Sequence, residues 1–189
     1  GRGKAIVNLL KLQEGETVTA MVPVREFVDD RYLIMATEKG VLKKTALKAY
    51  SNPRAGGITA LTLDEVDELI SVRMCNGDQE LLLATRKGKT LRCRETDIRI
   101  MGRTARGVMG IRLGEGDKLV GMEVVTPGTS ILSVTEKGYG KRTRNEEYRV
   151  QSRGGKGIIN IKVGEKNGPV VSVRQVQEAL CFVGREGDI

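Results

Sequence analysis

Leu81-Leu82-Leu83-Ala84-Thr85-Arg86-Lys87-Gly88 is the stretch on which the fold prediction depends. An apolar run ends in a short basic turn closed by glycine, which is typical of a β-strand entering a hairpin. The signature recurs at residues 33–40 and 131–138, and a looser copy lies at residues 180–187. The closing glycines of the four copies are therefore 48, 50 and 49 residues apart. A fixed period of this length indicates a repeat protein.

Two further markers keep the same period. Gly57, Gly107 and Gly157 each precede an apolar residue that opens a strand-like stretch, at intervals of 50 residues. An acidic or glycine turn also precedes a strand-like stretch four times, at residues 16–24, 67–75, 117–125 and 168–176. Each repeat is therefore predicted to contain about four short antiparallel strands. In the second repeat they are expected at residues 58–63, 68–75, 80–86 and 89–94.

This pattern predicts an all-β fold of the propeller type, with four-stranded antiparallel blades of about 50 residues each. The approximate repeats are residues 1–50, 51–100, 101–150 and 151–189, and we expect them to form one repeat domain. A closed ring needs about four to eight blades, and the last repeat stops after its third strand. The expected ring is therefore incomplete.

The positive charge follows the repeat. Lys and Arg number 32 against 24 Asp and Glu, and the formal net charge of +8 favours a polyanionic partner. One cationic group lies in the loop before each first strand: Arg2, Lys4, Arg54, Arg103, Arg106, Arg153 and Lys156. A second group follows each hairpin glycine: Lys43, Lys44, Lys89, Arg92, Arg94, Lys141, Arg142 and Arg144. We expect both groups, together with Gln151, to line a rim that contacts DNA phosphates.

The loop Gln151-Ser152-Arg153-Gly154-Gly155-Lys156-Gly157 combines cations with three glycines. Glycine allows a positive φ and the close approach of a partner, so the loop is a candidate contact site. A solvated glycine turn is the alternative for this loop. For the cations after the hairpins, the alternative is a role in solubility, because lysine on an edge strand also prevents sheets from pairing.

Several classes of function are disfavoured. The chain has no His, which removes His-based triads and His metal sites. Gly88-Lys89-Thr90 ends like a phosphate-binding P-loop, but Leu83 stands where the first glycine is required. Cys75, Cys93 and Cys181 are isolated, which favours a reducing cytosol. No membrane segment, metal or cofactor is expected, and aromatic residues are only 3% of the chain, which favours phosphate contacts over base stacking.

The chain resembles the C-terminal domain of the DNA gyrase A subunit, of the type IIA topoisomerases. The resemblance is most specific at residues 5–10, 107–118 and 138–143. It implies a six-bladed β-pinwheel that wraps double-stranded DNA around a basic outer edge and so supports ATP-dependent negative supercoiling. The family has a signature box of Gln, two basic residues, two glycines, a basic residue and glycine. Residues 151–157 match this box except at Ser152.

The positions of these motifs imply a fragment that spans about blades two to five, with the principal box upstream. The resemblance also implies that the DNA-cleaving tyrosine and the ATPase lie outside this chain, so no catalytic residue is expected. The implied partners are the N-terminal part of the same subunit and the gyrase B subunit, in the cytoplasm. Three alternatives stay open: the related domain of the topoisomerase IV A subunit, a propeller-like protein-interaction scaffold, and an enzyme built on a propeller.

Overall fold

The computed structural model describes residues 3, 10, 12–54 and 56–177. This part of the chain contains eleven β-strands, three short 3₁₀ turns and no α-helix. The strands are β1 Tyr32–Thr37, β2 Val41–Ala46, β3 Leu69–Cys75, β4 Glu80–Thr85, β5 Lys89–Arg94, β6 Val108–Met109, β7 Leu119–Val125, β8 Thr129–Thr135, β9 Gly140–Arg144, β10 Ile158–Ile159 and β11 Val170–Gln177. The 3₁₀ turns are Leu47–Tyr50, Glu95–Asp97 and Asn145–Glu147.

The predicted strands of the second repeat are confirmed at three of four places, as β3, β4 and β5. The prediction of a strand at residues 58–63 is wrong, because no strand forms there. Its counterparts β6 and β10 have only two residues each and pair with hairpins that lie more than 60 residues earlier.

The predicted hairpins after the basic turns are confirmed. Gly40, Gly88 and Gly138 have φ values of 81°, 81° and 82°. Each closes its turn by donating its N–H to the carbonyl three residues earlier. These turns join β1 to β2, β4 to β5 and β8 to β9 in antiparallel pairs.

The sheets combine strands that are far apart in the chain. The strand orders are β3-β1-β2-β6, β10-β5-β4-β7 and β11-β8-β9, and all strand pairs within them are antiparallel. In the first two sheets one edge strand comes from a later part of the chain. Strand β6 of the first sheet follows the β4–β5 hairpin, and strand β10 of the second sheet follows the β8–β9 hairpin. The first strands of the three sheets, β1, β4 and β8, begin 48 and 49 residues apart.

The blades share their cores, as the repeat pattern predicts. One cluster of buried side chains joins the first two sheets and includes Ile34, Leu42, Leu83 and Met122. A second cluster joins the second and third sheets and includes Leu82, Ile131 and Val173. β-strands covered on both faces show long buried runs instead of alternation, which explains why four successive residues of β2 are buried.

One edge of every sheet faces the neighbouring sheets. Strand β7 packs against both β3 and β11. The buried Glu123 carboxylate accepts hydrogen bonds from Arg73 at 2.9 and 3.1 Å and from Arg174 at 3.2 Å. Because these three strands meet, the opposite edges, formed by β6 and β10, point away from the shared centre. We call the β6 and β10 side, taken as residues 94–112 and 144–162, the outer edge.

Candidate nucleic-acid interface

Lys43 does not lie on the surface, contrary to the prediction that it belongs to a solvent-facing rim. Its side chain is 1% exposed, and its ammonium group donates hydrogen bonds to the carbonyl oxygens of Ala60 and Arg103. Burial, together with the positive charge of Arg103, lowers the pKa of Lys43 from 10.5 to about 8. Lys43 therefore links β2 to two loops of the following repeats.

Lys44 is also buried, and the prediction that it faces solvent is wrong. Its ammonium group lies 2.7 Å from Oε1 of Glu95, whose side chain is fully buried, and 4.5 Å from the centre of the Tyr32 ring. Cys75 Sγ donates to the same oxygen at 3.0 Å, while the backbone N–H groups of Gly77 and Gln79 donate to Oε2. Both carboxylate oxygens of Glu95 therefore have partners, as a buried ion pair requires.

Arg92 has the same register in β5 that Lys44 has in β2. It is half-buried, forms an ion pair with Glu80, and donates to the carbonyl oxygens of Asn145 at 2.6 Å and Tyr148 at 3.2 Å. The 3₁₀ turn that contains Glu95 contacts Lys44, and the next 3₁₀ turn contacts Arg92. Cations at this register therefore join one blade to the next.

The loop at residues 151–157 has the backbone conformation that its glycines predict. Gly154 and Gly157 have φ values of 77° and 68°. The group that approaches closely is protein backbone, since a Cβ at Gly157 would lie 2.8 Å from the Thr90 oxygen. Arg153 donates to the carbonyls of Asp97 at 2.8 Å and Met109 at 3.1 Å, and is half-buried. Lys156 is the exposed cation of this loop.

The other predicted contact residues divide by exposure. Exposed are Arg54, Arg94, Arg106, Lys141, Arg142, Arg144, Ser152 and Lys156; half-buried are Lys89, Arg92, Arg103, Gln151, Arg153, Gly154, Gly155 and Gly157. Arg106 forms a solvent-exposed ion pair with Asp64 at 2.8 Å, and Lys141 donates to the Asn160 oxygen at 2.7 Å. Arg2 and Lys4 lie outside the described residues.

Four more exposed cations lie on the outer edge and were missed by the sequence reasoning: Arg99, Arg112, Arg149 and Lys162. With Arg94, Arg106, Arg144 and Lys156 they form four pairs in which the partners are 50 residues apart. The 50-residue period was the signal that could have found them. The corresponding residues of the preceding repeat, Ala46, Ser51, Gly56 and Thr62, are uncharged.

The described part of this surface supplies positive charge. In residues 12–54 and 56–177 no group of three or more Cys, Asp or Glu side chains is arranged to hold a metal ion. Cys75 and Cys93 are buried, and burial raises the pKa of both thiols, that of Cys93 to about 12. No helix among the described residues is long and apolar enough to cross a membrane. What the outer edge offers is a set of exposed guanidinium and ammonium groups, which can bind phosphates.

The fold and the charge together define a class: a propeller-like β-repeat protein with a basic outer edge. The family described as "DNA gyrase C-terminal domain, beta-propeller" matches residues 1–25, 31–76, 79–126 and 129–177. The chain belongs to this family. The last three matched segments begin at or just before β1, β4 and β8, so they follow the same phase as the sheets.

Curated relatives agree with this assignment. The chain is 48% identical over 104 residues to the DNA gyrase A subunit of Halalkalibacterium halodurans, and 47% identical over 104 residues to that of Salmonella typhimurium. Each alignment covers 55% of this chain and 12% of the relative. The chain therefore matches only about one eighth of the length of these relatives.

Two solved structures are similar over 93% of this chain. The C-terminal domain of DNA topoisomerase IV has a TM-score of 0.85 and 28% identity, and 55% of that chain is covered. The DNA gyrase A C-terminal domain has a TM-score of 0.84 and 27% identity, and 59% of that chain is covered. Structural similarity therefore does not separate gyrase from topoisomerase IV.

Proposed function

We propose that this chain binds double-stranded DNA along its outer edge and wraps it there. The observation that carries the proposal is the set of four pairs of exposed cations, repeated at 50 residues on successive blades. Phosphate contacts that repeat from blade to blade favour a bent duplex and do not read its sequence. Bending 20–30 base pairs by 40–90° costs on the order of 1–6 kcal/mol, which several phosphate contacts per blade offset.

In the parent protein this wrapping would support ATP-dependent negative supercoiling by a cytoplasmic type IIA topoisomerase. We propose the gyrase A subunit as the parent, because the curated relatives at 45–48% identity carry that name. The topoisomerase IV A subunit is the second candidate, favoured by the equally close structural similarity. Cleavage of DNA would belong to the N-terminal part of the parent, and hydrolysis of ATP to the gyrase B subunit. The chain itself would be about blades two to five of a six-bladed pinwheel.

A ligation assay tests wrapping directly. Nicked circular DNA is bound to the chain and sealed, and the linking number of the product is read after protein removal. We expect a shift that grows with protein concentration and disappears at high salt, because phosphate contacts release counterions. Binding without a shift would remove wrapping by this chain but leave DNA binding. Absence of binding at moderate salt would favour the scaffold alternative.

A matched pair of variants tests the location of the surface. The variant R99Q/R112Q/R149Q/K162Q removes four exposed cations of the outer edge. The control R25Q/R31Q/K118Q/K166Q removes four exposed cations that lie outside residues 94–112 and 144–162. If each lost phosphate contact lowers the logarithmic salt slope by about 0.9, the first variant loses about 3–4 units of slope. An equal loss in the control would show that net charge, and not the outer edge, governs binding.

A further inference from the structure

The outer edge also carries large apolar side chains that the core does not use. Ile100, Met109, Val150 and Ile159 are 56%, 51%, 42% and 65% exposed. In both β6 and β10 the first residue packs against the core, while the second, Met109 or Ile159, faces outward. A surface built only to attract phosphates does not need exposed apolar groups, and these groups recur at the same two positions of successive repeats, 50 residues apart.

These side chains form two equivalent pairs. On the first sheet Met109 stands opposite Val41, and Ile100 is bridged to Lys44. On the second sheet Ile159 stands opposite Lys89, and Val150 is bridged to Arg92. The partners on β2 and on β5 are three residues apart, so each apolar pair spans about 10 Å along the outer edge.

Cations flank each apolar residue. Arg106 and Arg112 lie three residues before and after Met109, and Lys156 and Lys162 stand in the same positions around Ile159. Arg99 directly precedes Ile100, as Arg149 precedes Val150. All six cations are exposed. The Met109 side chain also lies against the glycine-basic loop, since a Cβ at Gly154 would be 4.0 Å from Met109 Sδ.

The apolar and the cationic residues occur together. In the preceding repeat Asn52 corresponds to Ile100, by the 48-residue spacing of the hairpin glycines Gly40 and Gly88. Thr59 corresponds to Met109, by the 50-residue spacing of Gly57 and Gly107. The same repeat lacks the flanking cations, with Ser51, Gly56 and Thr62 in their places. Packing within the repeat therefore does not require apolar residues at these positions. Their presence only where the cations are present indicates that both types contact the same partner.

We propose that Ile100, Met109, Val150 and Ile159 lie against the deoxyribose rings that wall the minor groove of the wrapped DNA. The inference rests on the proposed function and adds to it a contact that does not depend on charge. Sugars receive many protein contacts beside the phosphates, and their carbon edges are apolar. DNA is favoured over an acidic protein as the partner, because the charges adjoining these side chains are cations at 50-residue intervals on successive blades.

The direction of the bend argues against insertion between the bases. Apolar wedges that enter a base step from the minor groove kink the duplex toward its major groove, and therefore away from the protein. A duplex that wraps on the outer edge bends toward the protein. The apolar side chains should therefore contact the groove walls and leave the bases stacked.

The experiment uses a 150-base-pair duplex bound to the whole 189-residue chain. Hydroxyl-radical cleavage reports which sugars are covered, and titrations at several salt concentrations report affinity and salt slope. Permanganate oxidation reports unstacked thymines.

The test variant is I100S/M109S/V150S/I159S, with M109S and I159S made singly. The control is V66S, because Val66 is 73% exposed but lies in the turn before β3. Urea unfolding confirms that each variant is folded.

We expect wild-type protein and V66S to protect sugars at regular intervals along the duplex without making thymines reactive. The quadruple variant should weaken that protection and bind roughly threefold to tenfold more weakly at every salt concentration, because apolar contacts are lost. Its salt slope should stay unchanged, since the cations set it. The heat-capacity change of binding should also become less negative, because less apolar surface is buried.

Two results would overturn the inference alone. The first is a quadruple variant that protects sugars and binds as the wild type does, which would leave the apolar residues to a partner other than DNA. The second is a set of permanganate-reactive thymines that the quadruple variant loses, which would make the side chains wedges between bases. If the wild type does not bind DNA, the proposed function fails first, so the two failures are distinguishable.

Discussion

Hairpins β1–β2 and β8–β9 have similar basic sequences but opposite environments. Lys43 and Lys44 in β2 occupy the same register as Lys141 and Arg142 in β9. The first pair is buried, whereas the second is exposed. We call β1–β2 and β4–β5 the covered hairpins, because a later strand pairs with their outer edge. Hairpin β8–β9 is the open hairpin, since β9 has no second strand partner within the described residues.

The difference shows that a cation's role is decided by the segment that lies beside it. In the covered hairpins a 3₁₀ turn and a short strand from the next blade reach the outer side of the strand. Lys44 then finds Glu95, and Arg92 finds two backbone carbonyls. Arg142 has no such cover among the described residues and keeps its charge in solvent. The same residue type thus holds blades together in one place and offers charge to a ligand in another.

The largest expected effect comes from Lys44→Met. The substitution leaves the fully buried Glu95 carboxylate without its cation, although three other donors remain. Breaking one partner of a buried pair costs about 3–5 kcal/mol, so we expect a loss of about 3 kcal/mol in the free energy of unfolding. Urea unfolding measures it, and Arg142→Met at the same register should change stability by less than about 0.5 kcal/mol.

A rescue variant separates the ion pair from packing. K44M/E95Q lacks both charges of this pair, so it should recover part of the stability lost in K44M. Equal losses in K44M and R142M would contradict the distinction between covered and open hairpins. Failure of E95Q to rescue K44M would show that the contact between Lys44 and the Tyr32 ring is the larger contribution.

A smaller effect is expected at the hairpin glycines. Gly88 and Gly138 have nearly identical φ values, 81° and 82°. A Cβ at Gly88 would lie 2.1 Å from the Ile161 carbonyl oxygen, whereas no atom of the described residues lies within 4 Å of one at Gly138. Gly138→Ala should therefore cost only the backbone strain, about 1 kcal/mol, and Gly88→Ala about 2 kcal/mol.

Urea unfolding of the two alanine variants gives the comparison, with m-values checked for two-state behaviour. The difference between them measures how firmly the segment after β10 is held over the covered hairpin. A loss of about 1 kcal/mol in both variants would mean that this segment moves aside readily, and that the covered hairpin is open in solution for part of the time.

The repeat, its period and most strands follow from the sequence, because hydrophobic alternation and turn glycines are local properties. Strand β5 and the glycine of the turn before it were predicted correctly for this reason. The burial of Lys43 and Lys44 could not be predicted in the same way. It depends on Ala60, Glu95 and Arg103, which lie 17 to 60 residues away and belong to later repeats.

The same difference between local patterns and distant contacts decided which residues of the candidate site could be predicted. Exposed cations such as Arg106 and Lys156 were found because they adjoin repeat glycines. Arg99 and Arg149 were missed because they follow 3₁₀ turns, which have no strong hydrophobic pattern. Arg153 was found, but its role was not, since its hydrogen bonds to Asp97 and Met109 exist only once two other repeats pack beside it.

The smallest expected effect concerns pH and compares Lys43 with Lys141. The pKa of Lys43 falls from 10.5 in the unfolded chain to about 8 in the folded one. Between these values the unfolded chain binds more protons, so the contribution of Lys43 to the free energy of unfolding should rise with pH from about 8 to 10.5. We expect a rise of about 1–2 kcal/mol, less than the full shift gives, because the two carbonyls also stabilise the charged ammonium.

Lys43→Leu is the test variant, because Leu91 fills the equivalent position of β5 and is fully buried. Urea unfolding is measured at several pH values for wild type, K43L and K141M, and each variant is compared with the wild type. Only the differences from the wild type are informative, because Cys93 also titrates in this pH range. Burial raises the pKa of the Cys93 thiol to about 12, so the folded chain keeps this proton longer than the unfolded chain. This lowers the free energy of unfolding as the pH rises above 9. K43L should lose the rise, whereas K141M should keep it because Lys141 is exposed. If the free energy of unfolding still rises with pH in K43L, the rise comes from an amine other than that of Lys43.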